Sequence, residues 1–113
     1  MKVVLDEGVP RLLIPELRES GCTVDGFPNA WKGLKNGALL ARLEQAGFGC
    51  LITCDKNIEW QQALRHRALA VVVLPFQKLA ELKSIAAEIA DAVEAARPGE
   101  ISHVKLNRPR AKT

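Results

Sequence analysis

Two short apolar segments of the sequence each run into carboxylates. Residues 3–5 are followed directly by Asp6 and Glu7, and residues 51–54 are followed by Asp55. Apolar runs of this length, closed by turn residues, are typical of buried strands in a parallel sheet. The carboxyl ends of such strands meet at one edge, where open α/β folds keep their sites. We therefore expect these three acids to share a site; the alternative is that they are merely hydrated at loop ends.

A shared carboxylate site suits a particular chemistry. Two carboxylates held about 4 Å apart repel each other by about 4 kcal/mol at an effective dielectric constant of about 20. A fold that gathers them either protonates one of them or binds a hard cation. Mg²⁺ prefers oxygen ligands, retains several waters, and can activate water and stabilise charge on a phosphoryl group. Two strands that end in carboxylates therefore favour metal-dependent hydrolysis of phosphodiesters.

The composition indicates one globular domain. The 113 residues are 48% apolar and 26% charged, and the net charge of +3 permits an anionic partner without demanding one. No apolar run approaches the length of a membrane span, and we see no secretion signal at the N-terminus. Cys22, Cys50 and Cys54 are expected to be reduced core thiols of a cytoplasmic protein.

The elements that must position the acids alternate regularly along the chain. After the first strand, the pattern predicts helices over residues 10–20, 34–46, 58–64 and 77–96, and strands over 22–25, 49–54, 68–74 and 100–106. This order predicts an α/β fold, a three-layer α/β/α sandwich with a mainly parallel five-stranded sheet. Residues 1–106 form the predicted domain, and residues 107–113 are a basic, flexible tail.

Three segments resemble the PIN-like domain family. Leu5-Asp6-Glu7 with Pro10 is similar to the family's LDENLP start, and residues 51–57 (LITCDKN) are similar to its acid-bearing strand end. Residues 70–74 resemble the next core strand. The resemblance implies an α/β/α fold whose acidic cluster binds Mg²⁺ or Mn²⁺ and hydrolyses RNA. Many stand-alone members are thought to be toxins paired with an antitoxin protein, and the resemblance also implies a homodimer.

The resemblance assigns roles to particular residues. It makes Asp6 and Asp55 metal ligands and catalytic residues, with Glu7 as a further catalytic candidate. Two amides stand where members of the family often carry acids, Asn36 at the start of a helix and Asn57 after Asp55. An amide can coordinate through its oxygen or hold a water, but it brings no charge, so Asn36 and Asn57 are expected to be weaker ligands.

Three cations follow the Asp55 strand end and are candidates for phosphate contacts, namely Lys56, Arg65 and Arg67. The sequence therefore predicts a metal-dependent ribonuclease, the toxin component of a toxin–antitoxin pair.

Two alternatives remain open at this point. The first is a catalytically weakened PIN-like module that binds a partner protein or RNA without cleaving it, which the two amides would favour. The second is a phosphoacceptor domain of the response-regulator kind, with an acid pair after the first strand, Asp55 after the third and Lys105 after the last. Such domains need Ser or Thr at the end of the fourth strand, where this chain has Leu74-Pro75.

Overall fold

Short, strongly apolar strands form the centre of the molecule. The structure, a computed structural model, describes residues 1–56 and 59–106. Within these ranges lie five strands: β1 (Lys2–Leu5), β2 (Val24–Asp25), β3 (Phe48–Thr53), β4 (Ala70–Val73) and β5 (Ile101–His103). They form one sheet in the order β2-β1-β3-β4-β5, and every neighbouring pair is parallel. The predicted five-stranded parallel sheet is confirmed.

Helices cover both faces of this sheet, which explains why its strands read as continuous apolar runs. The helices are α1 (Leu13–Glu19), α2 (Asn36–Gln45), α3 (Trp60–Ala63), α4 (Leu79–Ser84) and α5 (Ala86–Ala95), with a 3₁₀ turn at Asn29–Trp31. Successive strand residues point to opposite faces. Thus Val3 and Leu5 pack in the core with α1, α4 and α5, whereas Val4 packs in the core with α2 and α3. The architecture is the expected three-layer α/β/α sandwich.

The single helix predicted over residues 77–96 is instead two helices. They are separated at Ile85, whose φ of −119° and ψ of 24° are not helical. The hydroxyl of Ser84 donates a 2.7 Å hydrogen bond to the Glu81 carbonyl, and such local bonds compete with the regular helical ladder. Both α4 and α5 contact α1, so the break at Ile85 lies within a segment that packs on this helix along both of its parts.

Several predicted boundaries were too wide. Helix α1 begins at Leu13 rather than at Pro10, since Pro15 cannot supply an amide hydrogen and must lie in the first turn. Strand β5 ends at His103, short of the predicted Leu106. The predicted tail, residues 107–113, lies outside the described residues. No helix within the described ranges is long and apolar enough to cross a membrane.

Candidate functional site

The two strands that are followed by acids, β1 and β3, lie side by side in the sheet. β1 pairs with β3, and the amide of Asp6 extends this ladder by donating to the Ile52 carbonyl at 2.8 Å. This pairing brings the Asp6 carboxylate to the last residue of β3, where the hydroxyl of Thr53 donates to Asp6 Oδ2 at 2.7 Å. The two strand ends are therefore joined by a side-chain hydrogen bond.

Thr53 also joins Asp6 to Asp55. The backbone amide of Asp55 donates to Thr53 Oγ1 at 3.0 Å, so one hydroxyl links the Asp6 carboxylate to the Asp55 backbone. Among the described residues, Thr53 is the one polar residue that is buried, with 0% of its surface exposed. The other Asp6 oxygen, Oδ1, accepts the amide of Glu7 at 2.9 Å. With both oxygens bonded, the Asp6 carboxylate has a defined orientation.

The Glu7 carboxylate is bonded to a neighbouring loop rather than to β3. Its Oε1 accepts the amide of Gly33 at 3.1 Å, which ties the turn after β1 to the loop before α2. Gly33 has a φ of +90°, a conformation that glycine adopts without strain. Glu7 thus lies at the same sheet edge as Asp6 but is bonded to this loop.

Asp55 is exposed, and its backbone carbonyl is held by a buried side chain. The indole Nε1 of Trp60 donates to the Asp55 carbonyl at 3.0 Å, and Trp60 itself is only 1% exposed. The neighbouring Lys56 extends its Nζ to the Pro75 carbonyl at 3.2 Å, which places its charge at the ends of β3 and β4. Thus Asp55 and Lys56 share the carboxyl edge of the sheet with Asp6.

Two adjoining clefts open at this edge. The β1 cleft, of about 350 Å³, is lined by Leu5, Asp6, Glu7, Val9, Arg11, Phe27, Asn29 and Lys32. The β3 cleft, of about 440 Å³, is lined by Gly8, Thr53, Cys54, Asp55, Lys56, Phe76 and Gln77. Because the hydrogen bond between Asp6 and Thr53 joins the walls of the two clefts, they form one surface.

The thiol in the β3 cleft is held in its neutral form. Burial raises the pKa of Cys54, and the negative charge of Asp6 raises it further, whereas Lys56 lowers it. Its Sγ lies 3.5 Å from the Phe76 carbonyl oxygen, consistent with an S–H donor. The effect of Asp6 on this pKa also reflects how near its charge lies to the β3 cleft. All three cysteines are free thiols, and burial raises the pKa of Cys50 to about 12.

Two of the predicted phosphate-binding cations lie elsewhere. Arg65 and Arg67 follow α3 and precede β4, which begins at Ala70, so they lie towards the amino edge of the sheet. The Arg67 guanidinium forms a 2.7 Å ion pair with Glu44 Oε1, and the amide of Ala68 donates to Glu44 Oε2 at 2.8 Å. These two bonds hold the pKa of Glu44 below its usual value. Arg67 therefore connects α2 to the start of β4, and it does not lie with Asp6 and Asp55 as the sequence suggested.

The two amide candidates lie wholly or partly outside the described residues. Asn57 lies outside the described residues, and so does the side chain of Asn36, although its backbone begins α2. Within the described ranges, no group of three or more Asp, Glu, His or Cys side chains gathers as a metal site. The acids that the structure links through Thr53 are Asp6, by its carboxylate, and Asp55, by its backbone amide.

Sequence reasoning did not assign a role to Thr53, Arg11 or Lys32. The threonine was part of the strand pattern, and the one available signal was its place two residues before Asp55. Arg11 and Lys32 had no signal, because their position beside Asp6 depends on how the loops fold together.

Comparison of the chain with protein-family models, with curated proteins and with solved structures found no significant match.

Replacing Thr53 with valine is expected to lower the free energy of unfolding by about 1–3 kcal/mol, because the buried hydroxyl holds Asp6 and the Asp55 amide together. Valine keeps the shape of the side chain and removes its oxygen. Urea denaturation measures the loss. Thr23→Val is the matched control, since Thr23 is exposed and its replacement should change stability by less than about 0.5 kcal/mol. Equal stabilities of the two variants would contradict this role for Thr53.

Proposed function

We propose that this protein is a metal-dependent ribonuclease whose cleavage site is the surface between Asp6 and Asp55. The observation that carries the proposal is the hydroxyl of Thr53, which joins the Asp6 carboxylate to the Asp55 backbone. Asp6 follows β1, and Asp55 follows β3. The strand order reverses between these two strands, because the chain passes from β1 outwards to β2 and then returns to β3 on the other side of β1. Doubly wound sheets bind their ligands at such a switch point.

A divalent cation fits the residues available there. Mg²⁺ is commonly bound by one or two carboxylates together with substrate phosphates, and it keeps several waters. Asp6 and Asp55 would hold it, and Asn36 and Asn57 would add amide oxygens. Bound Mg²⁺ or Mn²⁺ would lower the pKa of a coordinated water and stabilise charge on the phosphoryl group. The role of Asp6 is to present an oriented charge, which the hydrogen bonds from Thr53 and the Glu7 amide support.

The choice of RNA as substrate rests on the PIN-like resemblance of residues 5–10 and 51–57 together with the cations at the same edge. Lys56 in the β3 cleft and Arg11 and Lys32 in the β1 cleft lie on either side of the acids. This arrangement favours a ligand with several negative charges. The same resemblance extends the proposal to a toxin that a partner antitoxin inhibits.

The test is an incubation of the purified protein with a long end-labelled RNA transcript in Mn²⁺, Mg²⁺ or EDTA. Cleavage fragments are expected with either metal and none in EDTA. An intact transcript under all three conditions, with no metal-dependent change in melting temperature, would count against the proposal. An adjacent gene for a small DNA-binding protein would separately favour the toxin assignment.

The second candidate function is RNA or partner binding without cleavage. The observation that favours it concerns Glu7, whose carboxylate accepts the Gly33 amide. With Glu7 bonded to that loop, Asp6 and Asp55 are the two acids that Thr53 links, and two acids form a weaker metal site than three. In this case Asp6→Asn would leave RNA affinity intact and no metal-dependent cleavage would be seen. Phosphorylation of Asp55 is the third possibility, and labelling with acetyl phosphate tests it.

A further inference from the structure

The β1 cleft contains two cations that are next to the acids and do not pair with them. Arg11 and Lys32 line this cleft together with Asp6 and Glu7. Among the described residues, the one ion pair joins Arg67 to Glu44, so neither cation forms a salt bridge with the neighbouring carboxylates. Their charges therefore remain available to an anionic ligand.

Arg11 is held in place by two features of the loop after β2. Its Nη1 donates to the Phe27 carbonyl at 3.2 Å, and Phe27 is itself buried with 4% exposure. Its guanidinium also lies directly over Gly26, where an added Cβ would come within 2.5–2.9 Å of three guanidinium atoms. The absence of a side chain at position 26 is thus what allows the guanidinium to occupy this position. A guanidinium has five N–H donors, so the bond to Phe27 leaves others for a ligand.

Positive charge flanks the acids on both sides. Arg11 and Lys32 lie in the β1 cleft, and Lys56 lies in the β3 cleft, with the Asp6–Thr53 hydrogen bond between the two clefts. A phosphodiester backbone carries a negative charge at every nucleotide, so it would meet cations before and after a central phosphate. A single small anion would need only one of these groups.

We propose that the β1 cleft binds a backbone phosphate of the RNA substrate next to the phosphate that is cleaved. The Arg11 guanidinium provides paired N–H donors that match phosphate oxygens, and Lys32 adds a second positive charge. Gly26 is a positioning residue that acts through Arg11. This inference rests on the proposed ribonuclease function for the identity of the ligand.

Two substitutions separate the charge of Arg11 from its position. Arg11→Met removes the charge and keeps much of the apolar stem, whereas Gly26→Ala keeps the charge and displaces the guanidinium. The matched control is Arg18→Met, since Arg18 Nη2 likewise donates to a backbone carbonyl, that of Val24, but at the other end of α1. All three proteins are compared with the wild type.

Two measurements are made on each protein. The first is the affinity for a fluorescent single-stranded RNA oligonucleotide in EDTA, followed by anisotropy at several salt concentrations. The second is single-turnover cleavage in Mn²⁺, which separates the half-saturating protein concentration from the maximal rate. Arg11→Met is expected to weaken RNA binding about tenfold and to reduce the slope of log K against log salt by about one. Gly26→Ala is expected to weaken binding about threefold or more with less effect on this slope. Both variants should raise the half-saturating concentration more than they lower the maximal rate.

The outcomes distinguish this inference from the proposed function. If the wild type cleaves RNA and both variants match Arg18→Met in affinity and half-saturation, the phosphate position is wrong and the ribonuclease function stands. If the wild type binds RNA without cleaving it and Arg11→Met weakens that binding, the phosphate position is supported and the ribonuclease function fails. If the wild type binds no RNA in either EDTA or Mn²⁺, the phosphate position and the ribonuclease function are both wrong.

Discussion

Replacing Asp6 with asparagine is expected to slow Mn²⁺-dependent RNA cleavage by about 100- to 1,000-fold, a loss typical of removing one essential charge-stabilising group. Asparagine has nearly the same shape, and its carbonyl oxygen can still accept the hydrogen bond from Thr53. The variant therefore removes the charge at the end of β1 and keeps the bond from Thr53, while the bond from the Glu7 amide is lost, because an amide nitrogen cannot accept it. Asp55→Asn is expected to have a comparable effect, because Asp55 is the other proposed ligand.

The assay is the initial rate of fragment formation from the end-labelled transcript, with melting temperature as the check on folding. Asp91→Asn is the control, because Asp91 lies on α5, away from the carboxyl edge, and lines a cleft with Ser20 and Gly21 at the end of α1. Its rate should equal that of the wild type. A folded Asp6→Asn protein that cleaves RNA as fast as this control would remove Asp6 from the mechanism.

Replacing Trp60 with alanine is expected to lower the free energy of unfolding by about 3–5 kcal/mol. This is a large share of the roughly 5–15 kcal/mol that stabilises a typical domain. Trp60 is 1% exposed and packs in the same core cluster as Leu40 and Leu51. The substitution also removes the Nε1 donor that fixes the Asp55 carbonyl. The stability loss should therefore be accompanied by a loss of order at the Asp55 backbone.

Urea denaturation measures this effect, and two further variants identify its cause. Trp60→Phe retains most of the apolar contact and loses the Nε1 hydrogen bond, so its loss should be about 1–2 kcal/mol. Trp31→Ala is the control for removing an indole, since Trp31 is only half-buried and packs edge-on against Phe48 with ring centres 6.3 Å apart. If Trp60→Ala were no more destabilising than Trp31→Ala, the packing role of Trp60 would be wrong.

The parts of the fold that follow from local patterns were predictable from the sequence. The runs at residues 3–5 and 70–73 are buried on both faces, and that burial is what makes a parallel strand visible as an uninterrupted apolar segment. The placement of Asp6 beside the end of β3 followed from the same logic, since parallel strands place their carboxyl ends at one edge. The break at Ile85 was not predictable from periodicity, because Ile85 continues the apolar stripe of the helix. The break is accompanied by a bond from the Ser84 hydroxyl to the Glu81 carbonyl, which apolar periodicity does not reveal.

The charged residues of the site depended on tertiary contacts that the sequence does not display. Arg67 follows Asp55 closely in the chain, but α3 carries the backbone back to the start of β4, where Glu44 from α2 meets it. Arg11 appeared to belong to a helix, and its position became clear only through Gly26, fifteen residues later in sequence. Charge clustering along the chain was therefore a poor guide to charge clustering in space.

Asp6 and Asp55 are proposed to hold a divalent cation at the switch point of the sheet. A crystal of the wild-type protein soaked in Mn²⁺ tests it directly through the anomalous difference density of manganese. We expect a peak between the two carboxylates, with metal–oxygen distances of about 2.0–2.3 Å. The same peak should be missing from Asp6→Asn crystals. If saturating Mn²⁺ gives peaks elsewhere on the wild-type protein and none at these carboxylates, Asp6 and Asp55 do not form the metal site.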